Sequence, residues 1–191
     1  MNSHDAINRL LKSFSSALRI APPLTLNTAG VCAFDYENDM SIAVEVLDQS
    51  SQVYLIGTVL PKPDQQGAAL LALYESLLKL NVFSSEIRGA SVALDPQSGE
   101  VLLCYQHPIS ALDETGLYNL LTHFTQAAQA LRARLNQARI RTQQDPGRSR
   151  HSASTQPDQV NHVRHQGSPW RARLGNQITP YQAPGSPDGF S

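Results

Sequence analysis

Thiols and long apolar runs are both scarce in this chain of 191 residues, and each scarcity removes a class of protein. Its two cysteines, Cys32 and Cys104, are too few for a disulfide-built scaffold. Each lies in an apolar, strand-like run and reads as a small buried hydrophobe in a reducing compartment. The longest unbroken apolar run, Ala68 to Tyr74, falls far short of the ~20 residues a membrane-spanning helix needs, so no membrane partner is expected. Met-Asn-Ser-His-Asp at the start places no basic stretch ahead of an apolar core. A secretory signal is therefore not expected, and the cytoplasm is the expected location. Charge is nearly balanced, 15 Lys+Arg against 16 Asp+Glu, for a net −1. No whole-chain positive field exists to hold nucleic acid, and any basic function must be local.

What charge there is divides unevenly. Residues 141–191 hold six prolines, five glycines and six arginines against three aspartates, a net +3 that leaves −4 for residues 1–140. Val160, Val163, Trp170, Leu174, Ile178, Tyr181 and Phe190 are too few and too scattered to build a core there. The composition reads as a disordered basic tail behind one folded domain, 1–140.

Within that domain, Ser3 is a candidate helix cap, and Ile7, Leu10, Leu11, Phe14, Ala17 and Leu18 form one apolar stripe that ends before Pro22-Pro23. Three strand-like runs follow, Val31–Tyr36, Met40–Asp48 and Gln52–Leu60, with links short enough for hairpins. Asp64 can cap a second helix over Gln65–Asn81. Two strands, Ala90–Asp95 and Glu100–Gln106, flank a Pro96-Gln97-Ser98-Gly99 turn. Asp113 then caps a long helix striped by Leu117, Leu120, Leu121, Phe124, Ala127, Ala128, Leu131 and Leu135. The expected fold is α+β, in the order α-β-β-β-α-β-β-α.

Two features exceed what one small domain needs. Leu70, Leu71, Leu73, Tyr74, Leu77, Leu78 and Leu80 cover about half of the second helix, wider than the ~100° stripe that packing on one sheet requires. Both parities of Val53–Leu60 and of Val101–Tyr105 are apolar, whereas a sheet with one wet face alternates between apolar and polar. Helices, a second subunit or a bound partner could cover the extra surface.

Chemistry-bearing motifs are thin. No Gly-rich phosphate loop, Gly-x-Ser-x-Gly elbow or His-Glu-x-x-His occurs. Cys104 and His107 are close in sequence, yet one lies in an apolar strand and the other precedes a proline. Asp35, Glu37 and Asp39 read as a solvated hairpin tip rather than a calcium loop, since the loop's glycine and distal glutamate are missing. His151, His162 and His165 lie in the tail, where ordering metal ligands is costly. Arg132, Arg134, Arg139, Arg141, Arg148 and Arg150 cluster where the last helix gives way to the tail and could touch phosphate, but the first three suit the negative end of a helix dipole, so nucleic acid is not the expected partner. No catalytic residue, metal or cofactor is expected.

Several ordered strings nevertheless resemble one family. Leu77-Leu78-Lys79-Leu80-Asn81-Val82-Phe83 leads to Gly89-Ala90-Ser91-Val92-Ala93-Leu94-Asp95 and Ser98-Gly99-Glu100-Val101-Leu102-Leu103. Leu112-Asp113, Leu120-Leu121, Phe124 and Leu131 then follow, all behind a first helix bearing Leu10, Leu11 and Phe14. Over about residues 5–135 the series resembles the class I type III secretion chaperones, the Tir-chaperone (CesT/SycE-like) family. The resemblance implies a five-stranded antiparallel sheet with three helices and a homodimer joined through the second helix. It implies no enzymatic activity. The implied function is to hold the N-terminal chaperone-binding segment of secreted effectors in a secretion-competent state and to present it to the secretion ATPase. On that basis Leu70, Leu71, Tyr74 and Leu78 are the expected dimer contact, with Leu73, Leu77 and Leu80 facing the sheet. Leu24, Leu26, Phe34, Val44, Tyr54 and Ile56 are the expected effector-binding residues. The alternative is a regulatory or interaction module of the same fold whose basic tail binds nucleic acid or another protein.

Overall fold

The structure is a computed structural model that describes residues 2–37, 40–82 and 85–144, with side chains of the last helix described to Gln137. The elements are α1 (Ser3–Leu18), β1 (Val31–Tyr36), β2 (Met40–Glu45), β3 (Gln52–Leu60), α2 (Gly67–Leu80), β4 (Ser91–Leu94), β5 (Val101–Pro108), a single 3-10 turn (Ile109–Ala111) and α3 (Glu114–Gln144). The strands form one antiparallel sheet in the order β1-β2-β3-β5-β4, so the α+β arrangement expected from the sequence is the one observed. α3 runs on through residues 141–144, so the helix passes the expected start of the tail at 141; the rest of the proposed tail, the Asp39 position and Phe83 lie outside the described residues, as do His151, His162 and His165.

Local chemistry fixes the element ends. The α1 cap is Asn2, not Ser3: the Asn2 side chain accepts from the His4 N–H at 3.3 Å. The Ser3 hydroxyl instead donates to the Ser50 carbonyl at 2.9 Å. Arg19, at φ 56°, closes the helix in the left-handed conformation before the Pro22-Pro23 pair is reached. α2 starts at Gly67 behind Gln66, two residues later than expected, with no side-chain cap bond. At α3 the expected cap holds, since Asp113 Oδ1 accepts from the Gly116 N–H at 2.6 Å. The β4–β5 turn is organised by buried Asp95. Its Oδ1 accepts from the N–H groups of Gln97 (2.8 Å) and Ser98 (3.1 Å), while Gly99 supplies the positive φ of 73°.

Strand alternation assigns the two faces. On one, Cys32, Phe34, Ile42, Val44, Val53, Leu55 and Leu103 meet Ile7, Leu10 and Leu11 of α1, Leu77 and Leu80 of α2, and Leu117, Leu121, Phe124 and Leu131 of α3 in a single core. On the other, Val31, Ala33 and Ala43 cluster with Ile56, and no helical residue belongs to that cluster. The strap between α1 and β1 is pinned from below. Buried Ser15 donates to the Leu11 carbonyl and accepts from the Leu24 N–H, both at 2.8 Å, and Asn8 Oδ1 accepts from the Leu26 N–H at 2.7 Å. Those bonds turn Leu24 and Leu26 inward.

Gly57 sits where α3 crosses the middle of the sheet. A Cβ built there would lie 3.1 Å from Ile42 Cδ1 and 3.4 Å from the Phe124 ring. The missing side chain lets α3 approach, so Gly57→Val should overpack the helix–sheet seam. The expected cost is about 1–3 kcal/mol, seen as a thermal midpoint lowered by several degrees in calorimetry. An unchanged midpoint would show that the seam has room to spare.

Candidate functional site

Two surfaces stand out once the core is assigned. The first is an apolar groove of about 150 Å³ where α1, β1 and α3 meet, lined chiefly by Phe14, Leu18, Ile20, Phe34, Tyr36 and Tyr118. The Phe14 and Tyr118 rings stand 5.8 Å apart at its mouth, and Tyr118 is 40 % exposed. The groove lies along β1, an edge strand with no strand neighbour on its outer side among the described residues. Its volume is below the roughly 300–1,000 Å³ of small-molecule pockets and suits one large side chain of a peptide. Beside it, the second sheet face presents Tyr54 and Ile56, both half-buried, above Val31, Ala33 and Ala43. Thr58 is buried on this face, and its hydroxyl has no hydrogen-bond partner.

The second surface belongs to α2. Leu71 and Leu78 are 69 % and 65 % exposed, Val82 continues their stripe, and Leu94 of β4 is also exposed. Tyr74, Leu77, Leu78, Val92, Ala93 and Leu94 line a groove of about 280 Å³ between the helix and the β4 edge. Leu77 and Leu80 face the core as expected, whereas Leu73 and Tyr74 lie partly buried against it and Leu70 is half-buried. Tyr74 therefore serves the seam between helix and sheet as well as the groove.

The six expected effector contacts separate by depth. Leu24, Leu26, Phe34 and Val44 belong to the main core, with Val44 fully buried. Strand parity and the Ser15 and Asn8 bonds put them there. Phe34 alone of the four also reaches the groove wall. Tyr54 and Ile56 are the members on the open face. Tyr118 was not singled out from the sequence: it adjoins Leu117 but falls outside the leucine stripe of α3, and an aromatic ring off the stripe was the available signal.

The reactive-looking residues do not converge. Cys104 pairs with Ile56 on the second face, while His107 pairs with Val53 on the core side and stacks on Tyr105 at 6.3 Å. Three residues apart on a strand, they point to opposite sides of the sheet. Asp35 is half-buried on β1, and Glu37, at the strand end, accepts from Gln129 Nε2 at 2.6 Å. Arg134 contacts Glu86, tying α3 to the loop before β4. Among the described residues no group of three or more His, Cys, Asp or Glu is placed to hold a metal, and no helix is long and apolar enough to cross a membrane.

A one-sided helical cover, an apolar groove beside an edge strand and a second apolar surface on α2 are thus the distinguishing features of the described residues. The model of the Tir chaperone protein (CesT) family matches residues 9–132, and the chain belongs to that family. Membership places it among secretion chaperones rather than with the regulatory-module alternative. Solved structures share the fold. A chain in the crystal structure of the ExsC-ExsE complex is 19 % identical, the match covering 70 % of this chain and 96 % of that one at a TM-score of 0.57. A chain in the structure of the HopA1-SchA chaperone-effector complex is 21 % identical, covering 69 % and 96 % at a TM-score of 0.54. No curated protein sequence matches.

Burial governs both thiols. It pushes Cys32 up to about 11, against a backbone hydrogen bond at Thr25 that lowers it, and it raises Cys104 as well. Cys32 should resist alkylation at pH 8, where roughly one molecule in a thousand carries the thiolate. Because its folded pKa lies above the unfolded one, its contribution to stability is complete below about pH 9 and is lost as pH rises towards about 11. Denaturant titrations across that window should show falling stability, and Cys32→Ala should lessen the fall. A slope indifferent to that substitution would assign it to other groups.

Proposed function

We propose that this chain is a type III secretion chaperone of the cytoplasm. It binds the N-terminal chaperone-binding segment of an effector, keeps it secretion-competent and presents it to the secretion ATPase. It works without a cofactor and without catalysis. The observation that carries the reading is the apolar groove between α1, β1 and α3 running beside the free edge of β1. An extended client satisfies its backbone on the strand edge and seats alternate apolar side chains in the groove, the general logic of strand addition. Tyr54 and Ile56 extend this surface onto the open face.

The test is co-purification from a secreting bacterium. Tyr118→Glu and Ile56→Asp each place a charge where a client would bury it, while in the free protein the charge still meets water. Each should cut client capture at least tenfold and leave the circular dichroism of the free protein unchanged. Folded variants that capture the client normally would move the surface elsewhere.

The same reading makes the protein a homodimer through α2. Exposed leucines at 71 and 78 with Val82 and Leu94 form an apolar patch that a second copy covers by the same residues in a two-fold contact. Sedimentation should give a dimer at micromolar concentration, and Leu71→Glu or Leu78→Glu, which enters the interface twice, should give a folded monomer. A wild-type monomer at that concentration would remove the contact.

A further inference from the structure

The groove and the β1 edge fit a segment of this same chain. Between Pro169 and Gly175 the sequence reads Trp170-Arg171-Ala172-Arg173-Leu174, apolar and basic in strict alternation. β1 alternates in the matching sense: Cys32, Phe34 and Tyr36 face the core and groove, while Val31, Ala33 and Asp35 face the other way. Set antiparallel along the free edge with Trp170 opposite Tyr36, the segment brings Ala172 opposite Phe34 and Leu174 opposite Cys32. Arg171 then falls opposite Asp35.

We propose that residues 170–174 dock in cis on the edge of β1, with Trp170 in the groove lined by Phe14, Ile20, Phe34, Tyr36 and Tyr118, and so compete with the client for its own site. The proposal rests on the groove being the client surface.

Charge favours this occupant. None of the five strands carries a lysine or arginine, whereas Asp35 lies on β1, Glu37 closes it and Glu45 pairs across from Val31. The tail is +3 against −4 for residues 1–140. Chain length and direction favour it too. α3 passes the β1–β2 turn where Gln129 meets Glu37 and continues to Gln144, a further rise of about 22 Å at 1.5 Å per residue. The 25 residues between Gln144 and Trp170 would, as a flexible chain, have a root-mean-square reach of about 28 Å. That reach includes the Tyr36 end of β1, the end from which an antiparallel strand must enter. When reach matches span, the effective concentration nears its maximum, on the order of millimolar. Even a segment of weak intrinsic affinity then occupies the site, and a full-affinity client still displaces it.

The full chain holds one tryptophan, and it lies in this segment, so its emission reports docking directly. In the full chain Trp170 should emit at shorter wavelength, and be quenched by acrylamide several-fold less, than in a synthetic peptide of residues 165–178. The shift should persist on dilution from micromolar to nanomolar concentration. Arg171→Glu with Arg173→Glu should restore peptide-like emission, as should Tyr118→Glu with its circular dichroism intact. If Tyr118→Glu unfolds, the arginine pair decides alone. Client capture by the arginine-pair variant should rise about three- to tenfold, as expected for release of a competitor held near millimolar effective concentration. Peptide-like emission in the wild type overturns the proposal. So does a shift lost on dilution, which places the segment on another copy, a shift indifferent to the arginine pair and to Tyr118→Glu, or capture unchanged by the arginine pair. Exposed Trp170 with normal client capture refutes the tail contact alone, whereas buried Trp170 without capture refutes the client reading alone.

Discussion

Everything in this fold hangs on the seam between α3 and the centre of the sheet. Gly57 leaves the space into which Phe124 packs, and Leu117, Leu121 and Leu131 extend the contact along the helix. α1 shares the same side, and α2 closes the β4 end with Leu77 and Leu80. With the helical burial spent on one face, the other face is left with a cluster made of strand residues only. Close packing of one side and incomplete cover of the other are thus a single fact, since all three helices contribute to the core on the same face.

The two apolar surfaces follow from that geometry in different ways. The groove at α1, β1 and α3 exists because two helices meet over an edge strand, and aromatic rings at 14 and 118 line it without filling it. The α2 surface exists because a helix with apolar residues around half its circumference can turn only part of them inward. One is a concave slot beside an edge strand whose outer backbone is tied to Asn27 at Val31 and has no strand neighbour beyond it among the described residues, suited to an extended peptide. The other is an exposed leucine stripe beside a groove at the β4 edge. The two surfaces lie at opposite ends of the sheet, one at the β1 edge and the other at the β4 edge.

Much of this was legible in the sequence because it depends on short-range chemistry. Strand alternation, the Asp113-to-Gly116 cap and the leucine stripe of α3 each declare themselves within a few residues. Where one residue competed with its neighbours the reading slipped: Asn2 capped α1 in place of Ser3, and α2 began past Asp64. Asp95 looked like the end of a strand, yet it is the buried acceptor that builds the following turn. The site was harder to read for a different reason. A strand apolar on both parities does not say which parity the helices will cover, and only the seam with α3 puts Phe34 and Val44 inside while leaving Ile56 near the surface. The contribution of Tyr118 depends on two helices meeting in space, which no local pattern encodes.

The free edge of β1 has a further consequence, for the protein's own solubility. Natural sheets blunt their edges with lysine, proline or a bulge, because an open edge is a template on which any extended chain can add. β1 has none of these. Asp35 is its one charge, and its register with β2 is unbroken. Asn27 covers its Val31 end, and from Ala33 to Asp35 the edge is open to an added strand. The edge offered to a client under the proposed reading is therefore also a liability for the free protein.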